Sequence, residues 1–212
     1  MAGPEAVRIG NTVLVLLAAG RGSRFGDTDR KLEQDLLGRP LGLHVAAALE
    51  DMPFLARMVV TGSAKLDYRH HGYEVLRNAD PDEGMARSVR IGVEAAEKCD
   101  AQGVLIALAD MPCVTAAHVR RLFDAATGAD TVVASSDGRA SRPPALFGRG
   151  RFAFLRSLEG DAGARDMIRA GRAVAATAAE LVDVDTRGEL EALRDLVSPP
   201  GAIDRRAGSP GS

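Results

Sequence analysis

The chain has 212 residues, of which 46% are hydrophobic and 26% are charged, so it can bury a core of ordinary size. Its formal net charge of -2 and its 4% aromatic content argue against a nucleic-acid partner, because neither a basic field nor a set of stacking platforms is present. Cys99 and Cys113 form no CxxC pattern, and no apolar run approaches membrane-spanning length. The first ten residues show no signal-peptide pattern, so we expect a cytoplasmic protein without a membrane partner.

The predicted elements alternate between strands and helices. The apolar run at 13–17 is bounded by glycines, which is typical of a strand buried on both faces. Helices are predicted at 41–50, 84–98, 152–158, 162–169 and 188–196, with another capped by Thr115 and reaching about residue 126. Further strands are predicted at 58–62, 73–76, 104–108, 131–134, 174–177 and 181–184, with an extended segment at 138–147.

This alternation predicts an α/β fold with a single doubly wound, mostly parallel sheet and helices on both faces. We expect one domain over 1–197 and a disordered tail over 198–212, which is rich in Pro, Gly, Ser and charge. Ligands of such sheets lie beyond the carboxyl ends of the strands. The glycine-rich loop after the first strand, Asp110, and the pair Asp183 and Asp185 are all expected there.

The loop that follows the first strand combines glycines with cations. Its glycines and cations are Gly20, Gly22, Gly26, Arg21, Arg24 and Lys31. Glycine lets backbone N–H groups approach an anion closely, and three cations in one short segment favour a polyphosphate. A Walker A loop requires glycine before the lysine and Ser or Thr after it, and Arg30 and Leu32 at these positions exclude it. The glycine spacing GxGxxxG also differs from the GxGxxG of a dinucleotide-binding loop. The loop therefore predicts a nucleoside triphosphate site, with a purely structural glycine turn as the alternative.

Asp110 directly follows the apolar run VLIALA. A buried unpaired carboxylate is expensive, and Mg²⁺ prefers one or two carboxylates together with phosphate oxygens, so we expect Asp110 to bind magnesium. A solvated carboxylate at a strand end or helix N-cap is the alternative. Asp183 and Asp185 alternate along a predicted strand, so only one is expected to reach the metal. Asp183 is favoured as this ligand and Asp185 is the alternative, for which capping of the last helix is a competing role.

Four segments in the same order resemble a known family. These are LAAGRGSRFG followed by a lysine, GRPL, GMARSVRIGVEAA and LADMPCVT. Together they resemble the MobA-like nucleotidyltransferases, which build the nucleotide form of molybdenum cofactor, and are most similar to the CTP:molybdopterin cytidylyltransferase (MocA-like) branch. The resemblance extends from about residue 13 to 193 and implies a Rossmann-like nucleotidyltransferase fold with Mg²⁺ as cofactor.

The resemblance also implies roles for individual residues. Arg21, Arg24, Lys31 and Asp110 are the implied catalytic residues, and Asp110 and Asp183 the implied metal ligands. Residues implied to bind the nucleotide are Leu17, Ala18, Ala19, Gly20, Gly22, Lys31, Gly84 and Ser88, although helix capping is an alternative role for the last two. Asp161 and Arg165 match a segment that faces the acceptor in the family.

The predicted reaction transfers CMP from CTP to a phosphate-bearing acceptor, molybdopterin being favoured, with release of pyrophosphate. Ala19 resembles the cytidylyl members, whereas Met111 and Pro112 resemble the guanylyl branch, and Ala162 replaces a lysine usual in the cytidylyl branch. The alternatives are therefore a guanylyltransferase, a cytidylyltransferase for a sugar or polyol phosphate, and a nucleotide-binding regulator without turnover. A transient contact with an enzyme that receives the cofactor is a further expectation.

Overall fold

The computed structural model describes residues 6–20, 31–62, 65–80, 83–160 and 164–197. Its strands are β1 (Thr12–Ala18), β2 (Asp35–Leu36), β3 (Arg39–Pro40), β4 (Ala56–Thr61), β5 (Glu74–Arg77), β6 (Gly103–Leu108), β7 (Val132–Ser136), β8 (Ser141–Gly148) and β9 (Arg172–Ala175). Its helices are α1 (His44–Ala48), α2 (Met85–Lys98), α3 (Ala116–Asp124), α4 (Phe152–Arg156), α5 (Arg165–Ala170) and α6 (Arg187–Val197).

Within these residues, seven strands form one sheet in the order β5-β4-β1-β6-β8-β7-β9. β1 lies between β4 and β6 and pairs with both in parallel, so that Leu16 faces Val59 on one side and Ala107 on the other. All seven β1 residues are buried, as its continuous apolar sequence predicts. β8 is antiparallel to both of its neighbours. The predicted α/β fold with a mostly parallel sheet is confirmed.

Helices cover both faces of the sheet, and each face has its own apolar core. α1 and α3 pack over the side chains of Leu14 and Leu16, while α2, α4 and α5 pack over those of Val13 and Val15. In α2 a Cβ added to Gly92 would lie 2.4 Å from the Val15 Cγ1 atom. Glycine at this position therefore allows α2 to approach the central strand.

A third apolar cluster joins α6 to the small hairpin of β2 and β3. It contains Leu36, Leu41, Val184, Leu190 and Leu193. The Arg194 guanidinium also donates hydrogen bonds to the backbone oxygen of Asp35. This packing places the segment before α6 beside the segment that follows Lys31.

Several predicted elements differ from the structure. The predicted helix at 41–50 is a 3-10 turn, Leu41–Leu43, followed by the short α1, and the predicted helix at 152–158 ends at Arg156. The predicted strand at 181–184 is wrong, because its first two amides bond back to Ala178 and Ala179 in a turn. None of the helices in the described ranges is long and apolar enough to cross a membrane. The tail at 198–212 lies outside the described residues, and the single domain over 1–197 stays a prediction.

Candidate active site

Two central strands bring the predicted site segments to one edge of the sheet. Leu17 near the end of β1 pairs with Leu108 at the end of β6, and the amide of Ala109 bonds to the Leu17 oxygen at 3.0 Å. Ala19 and Gly20 therefore leave the sheet beside Asp110. The rest of the glycine-rich loop lies outside the described residues, so the roles of Arg21, Gly22 and Arg24 stay predictions.

Lys31 has its ammonium group between two carboxylates. Only 5% of this residue is exposed, and Nζ donates to Asp110 Oδ2 at 3.0 Å and to Asp185 Oδ1 at 2.9 Å. Burial by itself lowers the pKa of Lys31, but the two carboxylates outweigh it and hold the pKa above the ordinary 10.5. Lys31 is therefore a permanent cation at this edge of the sheet.

Asp110, Asp183 and Asp185 form one carboxylate group. One oxygen from each lies within 4.8 Å of the others. The expectation that Asp183 and Asp185 point to opposite faces of a strand is therefore wrong. No strand forms there; instead the Val184 amide donates to the backbone oxygen of Asp110 at 3.0 Å, so the segment crosses the end of β6.

The start of α6 holds this segment in place. Glu189 Oε2 accepts the amide hydrogens of Asp185 and Thr186, each at 2.8 Å, and Thr186 Oγ1 accepts from the Glu189 amide at 3.2 Å. This reciprocal pair is a capping box. Thr186 is thus the cap of the helix, so the alternative capping role of Asp185 is wrong, and the Asp185 side chain contacts Lys31 instead. The sequence signal was T-R-G-E, a threonine followed three residues later by glutamate.

The electrostatics of this carboxylate group are unfavourable without a further cation. Burial, together with the charges of Asp110 and Asp185, raises the pKa of Asp183 to about 7. Asp110 Oδ1 and Asp183 Oδ1 are buried and have no hydrogen-bond partner among the described residues. An unsatisfied buried polar atom costs about 1–3 kcal/mol. Hard oxygen ligands are those that Mg²⁺ prefers, so these residues fit a divalent cation.

Gly84 and Ser88 lie at the start of α2. Gly84 has φ +80°, which favours glycine, and Ser88 is buried with its hydroxyl accepting a hydrogen bond from Asn78 Nδ2 at 3.0 Å. The backbone N–H of Asn78 donates a hydrogen bond to the backbone oxygen of Thr61 at the end of β4. Asn78 thus connects the ends of β4 and β5 to α2. The sequence analysis missed this residue, although a polar side chain directly after a predicted strand was a signal for it.

Of the two residues expected to face the acceptor, only Arg165 lies in the described part of the chain. Arg165 begins α5 and is exposed beside the turn between β7 and β8, whereas Asp161 lies outside the described residues. Their role at an acceptor site stays a prediction.

Comparison with known proteins decides the family. The MobA-like NTP transferase domain matches residues 14–177. The chain belongs to this family. As a MobA-like protein it is a nucleotidyltransferase, whose ligands are a nucleoside triphosphate and a phosphorylated acceptor.

Three similar proteins illustrate this membership. The Bacillus subtilis purine catabolism protein PucB is 30% identical over 201 residues, which are 87% of this chain and 96% of PucB. A molybdenum cofactor guanylyltransferase from Cupriavidus pinatubonensis is 32% identical over 61% of this chain and 66% of its own. A solved nucleotidyl transferase from Methanothermobacter thermautotroptrophicus is 25% identical, with a TM-score of 0.72 over 87% of this chain and 96% of its own.

Proposed function

We propose that this MobA-like protein transfers CMP from CTP to the phosphate of molybdopterin and releases pyrophosphate, with Mg²⁺ as cofactor. The observation that carries the proposal is the group formed by Lys31 and three carboxylates at the carboxyl edge of the sheet. It combines a fixed cation for phosphate oxygens with oxygen ligands for a metal, which is what phosphoryl-transfer sites require.

Asp110, Asp183 and Asp185 would hold the magnesium ion. The buried oxygens of Asp110 and Asp183 that have no hydrogen-bond partner in the described part of the chain support this assignment. When bound, the ion supplies positive charge that neutralises the phosphates and the carboxylates together. Asp110 and Asp183 are the metal ligands expected from the sequence, and Asp185 is a third candidate ligand in this proposal.

Lys31 would stabilise the charge that develops on the leaving pyrophosphate. Its two carboxylate contacts hold the ammonium at the sheet edge before the substrate arrives, so little reorganisation is needed during the reaction. In this proposal Arg21 and Arg24 of the glycine-rich loop bind the same triphosphate. Removing one such electrostatic donor typically costs about 2.7–4 kcal/mol of transition-state stabilisation.

The acceptor in this proposal needs no general base. A phosphate monoester is already anionic near neutral pH, so one of its oxygens attacks the α-phosphorus of CTP directly. A new P–O bond forms as the bond from the α-phosphorus to the bridging oxygen breaks, and pyrophosphate leaves with that electron pair. The protein contributes positioning and charge stabilisation, which dominate catalysis of phosphoryl transfer.

The base of the nucleotide has two candidates. Ala19, in an Ala-Ala-Gly sequence like that of the cytidylyl members, supports CTP. Met111 and Pro112 after the first carboxylate, and the similarity to a relative named as a guanylyltransferase, favour GTP as the second candidate. A sugar or polyol phosphate acceptor and a regulator without turnover are the remaining alternatives from the sequence.

Pyrophosphate release tests the proposal. The protein is incubated with Mg²⁺, molybdopterin and one of the four nucleoside triphosphates at a time, and the product is identified by its mass. We expect CTP to give the highest rate and a cytosine dinucleotide product. A faster reaction with GTP supports the guanylyl candidate, and no dinucleotide with either nucleotide contradicts molybdopterin as acceptor.

A further inference from the structure

Glu180 lies three residues before Asp183 and contacts both its own turn and a distant helix. Its Oε2 atom accepts the amide hydrogen of Thr177 at 3.0 Å, and Thr177 Oγ1 accepts from the Glu180 amide at 3.1 Å. This reciprocal pair has the pattern of a capping box and closes the turn at 177–180. The same carboxylate also reaches the start of α3, where Oε1 accepts from Thr115 Oγ1 at 3.1 Å. Glu180 thus forms a bridge between two segments that are 65 residues apart.

Thr115 uses its hydroxyl group on both sides. The oxygen accepts the amide hydrogen of His118 at 3.1 Å, which caps α3, while the hydroxyl hydrogen is donated to Glu180. Arg121 adds a longer contact to Glu180 Oε2 at 3.5 Å. Burial by itself raises the pKa of Glu180, but the hydrogen bonds from Thr177 and Thr115 outweigh it and hold the pKa below the ordinary 4.5. The bridging carboxylate is therefore charged at neutral pH.

The start of α3 is itself held against the sheet by His118. This side chain is buried, and its Nε2–H group donates to Ser135 Oγ of β7 at 2.7 Å. The Ser135 hydroxyl donates its own hydrogen to the backbone oxygen of Pro144 in β8 at 2.7 Å, so it accepts from the imidazole. The other ring nitrogen, Nδ1, then accepts from Arg121 at 2.9 Å. The start of α3 is therefore anchored to two strands and can fix the position of Glu180.

The bridge closes a ring that contains the carboxylate group. From the bridge, one segment runs back from Thr115 to Asp110, and the other runs forward from Glu180 to the segment 183–185. The two segments meet again at the sheet edge, because the Val184 amide donates to the backbone oxygen of Asp110 at 3.0 Å. Each segment is thus held at both ends by a hydrogen bond to the other. This restraint orders the carboxylates before any ligand arrives, which reduces the cost of binding.

We propose that Glu180 is a positioning residue of the metal site, because its contact with Thr115 sets where the segment 183–185 lies relative to Asp110. This inference rests on the proposed function, in which the carboxylate group binds Mg²⁺. Glu180 acts through the backbone of its own turn rather than by contact with the ion. Loss of a partner that orients metal ligands typically weakens metal binding about 10- to 100-fold.

Two variants of one residue, Thr115→Asp and Thr115→Ser, separate the bridge from the cap of α3. Aspartate and serine are both good N-cap residues, so α3 should form in each variant. Serine keeps the hydroxyl group that donates to Glu180, whereas a carboxylate at this position repels it. An added negative charge by itself attracts a cation, so weaker metal binding in Thr115→Asp cannot result from the charge alone.

The first measurement is backbone amide hydrogen exchange, followed by NMR on the full chain in EDTA. In Thr115→Asp we expect the Val184 amide to exchange about tenfold faster than in the wild type, the factor for losing one hydrogen bond of ordinary net strength. The Val119 amide, which donates to the backbone oxygen of Thr115 in α3, should keep its exchange rate. Thr115→Ser should match the wild type at both amides. An unchanged rate at Val184, or an equal increase at Val119, overturns the inference.

The second measurement is the Kd of Mn²⁺, titrated alone into the full chain and followed by the EPR signal of the free ion. We expect Thr115→Asp to weaken Mn²⁺ binding about 10- to 100-fold, and Glu180→Ala, which removes the bridge from its other end, to do the same. Thr115→Ser should bind like the wild type. Asp124→Ala is the matched control, since it also removes one negative charge but lies exposed at the opposite end of α3.

The outcomes separate this inference from the proposed function. Equal Mn²⁺ affinity in Glu180→Ala and the wild type overturns the positioning role and leaves the metal site in place. A wild-type protein that binds no Mn²⁺ contradicts the metal site and the positioning role together. Weaker binding in Thr115→Asp and Glu180→Ala, combined with no CMP transfer to molybdopterin by the wild type, supports the positioning role and contradicts the proposed reaction.

Discussion

Replacing Lys31 with methionine removes the cation at the centre of the carboxylate group. Methionine has a similar length and fits a buried position, so the change isolates the charge. Breaking a fully buried ion pair costs about 3–5 kcal/mol. The partner side chains here are 26% and 40% exposed for Asp110 and Asp185. Solvent screening therefore reduces the expected loss of unfolding free energy to about 2–3 kcal/mol.

For a chain of this size, such a loss lowers Tm by about 5–10 °C. We expect this shift in thermal unfolding of Lys31→Met in EDTA. Added Mg²⁺ should restore more stability to the variant than to the wild type, because the bound ion then compensates carboxylates that lack the ammonium group. Mg²⁺ at a concentration of 100 times its Kd stabilises the folded state by about 2.7 kcal/mol.

Lys98→Met is the matched control, since Lys98 is exposed at the end of α2. It should unfold within about 1 °C of the wild type, because exposed substitutions usually change stability by less than 0.5 kcal/mol. The reasoning is refuted if Lys31→Met is as stable as Lys98→Met in EDTA, or if Mg²⁺ stabilises both variants equally.

Three further changes test the site and the core. Asp110→Asn should retain the wild-type circular dichroism spectrum. Its kcat should fall at least about 100-fold, as it does when a strong electrostatic contact to the transition state is lost. A decrease in kcat of less than tenfold contradicts the assignment of Asp110 as a metal ligand. Gly92→Ala should lower the free energy of unfolding in urea by about 1–3 kcal/mol, because the added methyl group would overlap Val15 of β1. Gly188→Ala is the control and should not destabilise the protein, since a Cβ at Gly188 meets no atom within 4 Å. Equal effects of the two changes would refute the close approach of α2 to β1. Burial and a neighbouring guanidinium lower the pKa of His118 below its ordinary 6.5, so the unfolded chain binds a proton first as the pH falls. The stability advantage of wild type over His118→Gln, measured at pH 7.5 and 5.5, should therefore shrink at the lower pH, and a constant difference would refute this.

Local sequence was sufficient to predict the central strands. β1 and β6 are continuous apolar runs of strand length, and both are buried as predicted because a central strand covered by helices on both faces has no solvent-facing side. α2 was equally predictable, since its apolar residues recur at helical spacing after a glycine cap.

The segment before α6 shows where periodicity fails. Val182, Asp183, Val184 and Asp185 alternate between apolar and charged side chains as a strand would, yet this segment forms a loop across the end of β6. The Val184 side chain is buried against α6 and its amide bonds to the Asp110 oxygen. Val184 also packs with Leu36 and Leu41, and these contacts with distant segments place two aspartates beside Asp110 that strand alternation would have separated.

The sequence by itself determined the fold class, the family and the chemical character of the site, because buried strands, a glycine-rich loop with cations and a carboxylate after an apolar run are local patterns. Only the tertiary structure decided the arrangement. Lys31 meets Asp110 across 79 residues and Asp185 across 154. The strand pairing of Val15 with Met58 and Ile106 likewise joins segments that are far apart in the sequence. No local pattern encodes these contacts, since they follow from the strand order and from the packing of α6 against Leu36 and Leu41, which are far away in the sequence.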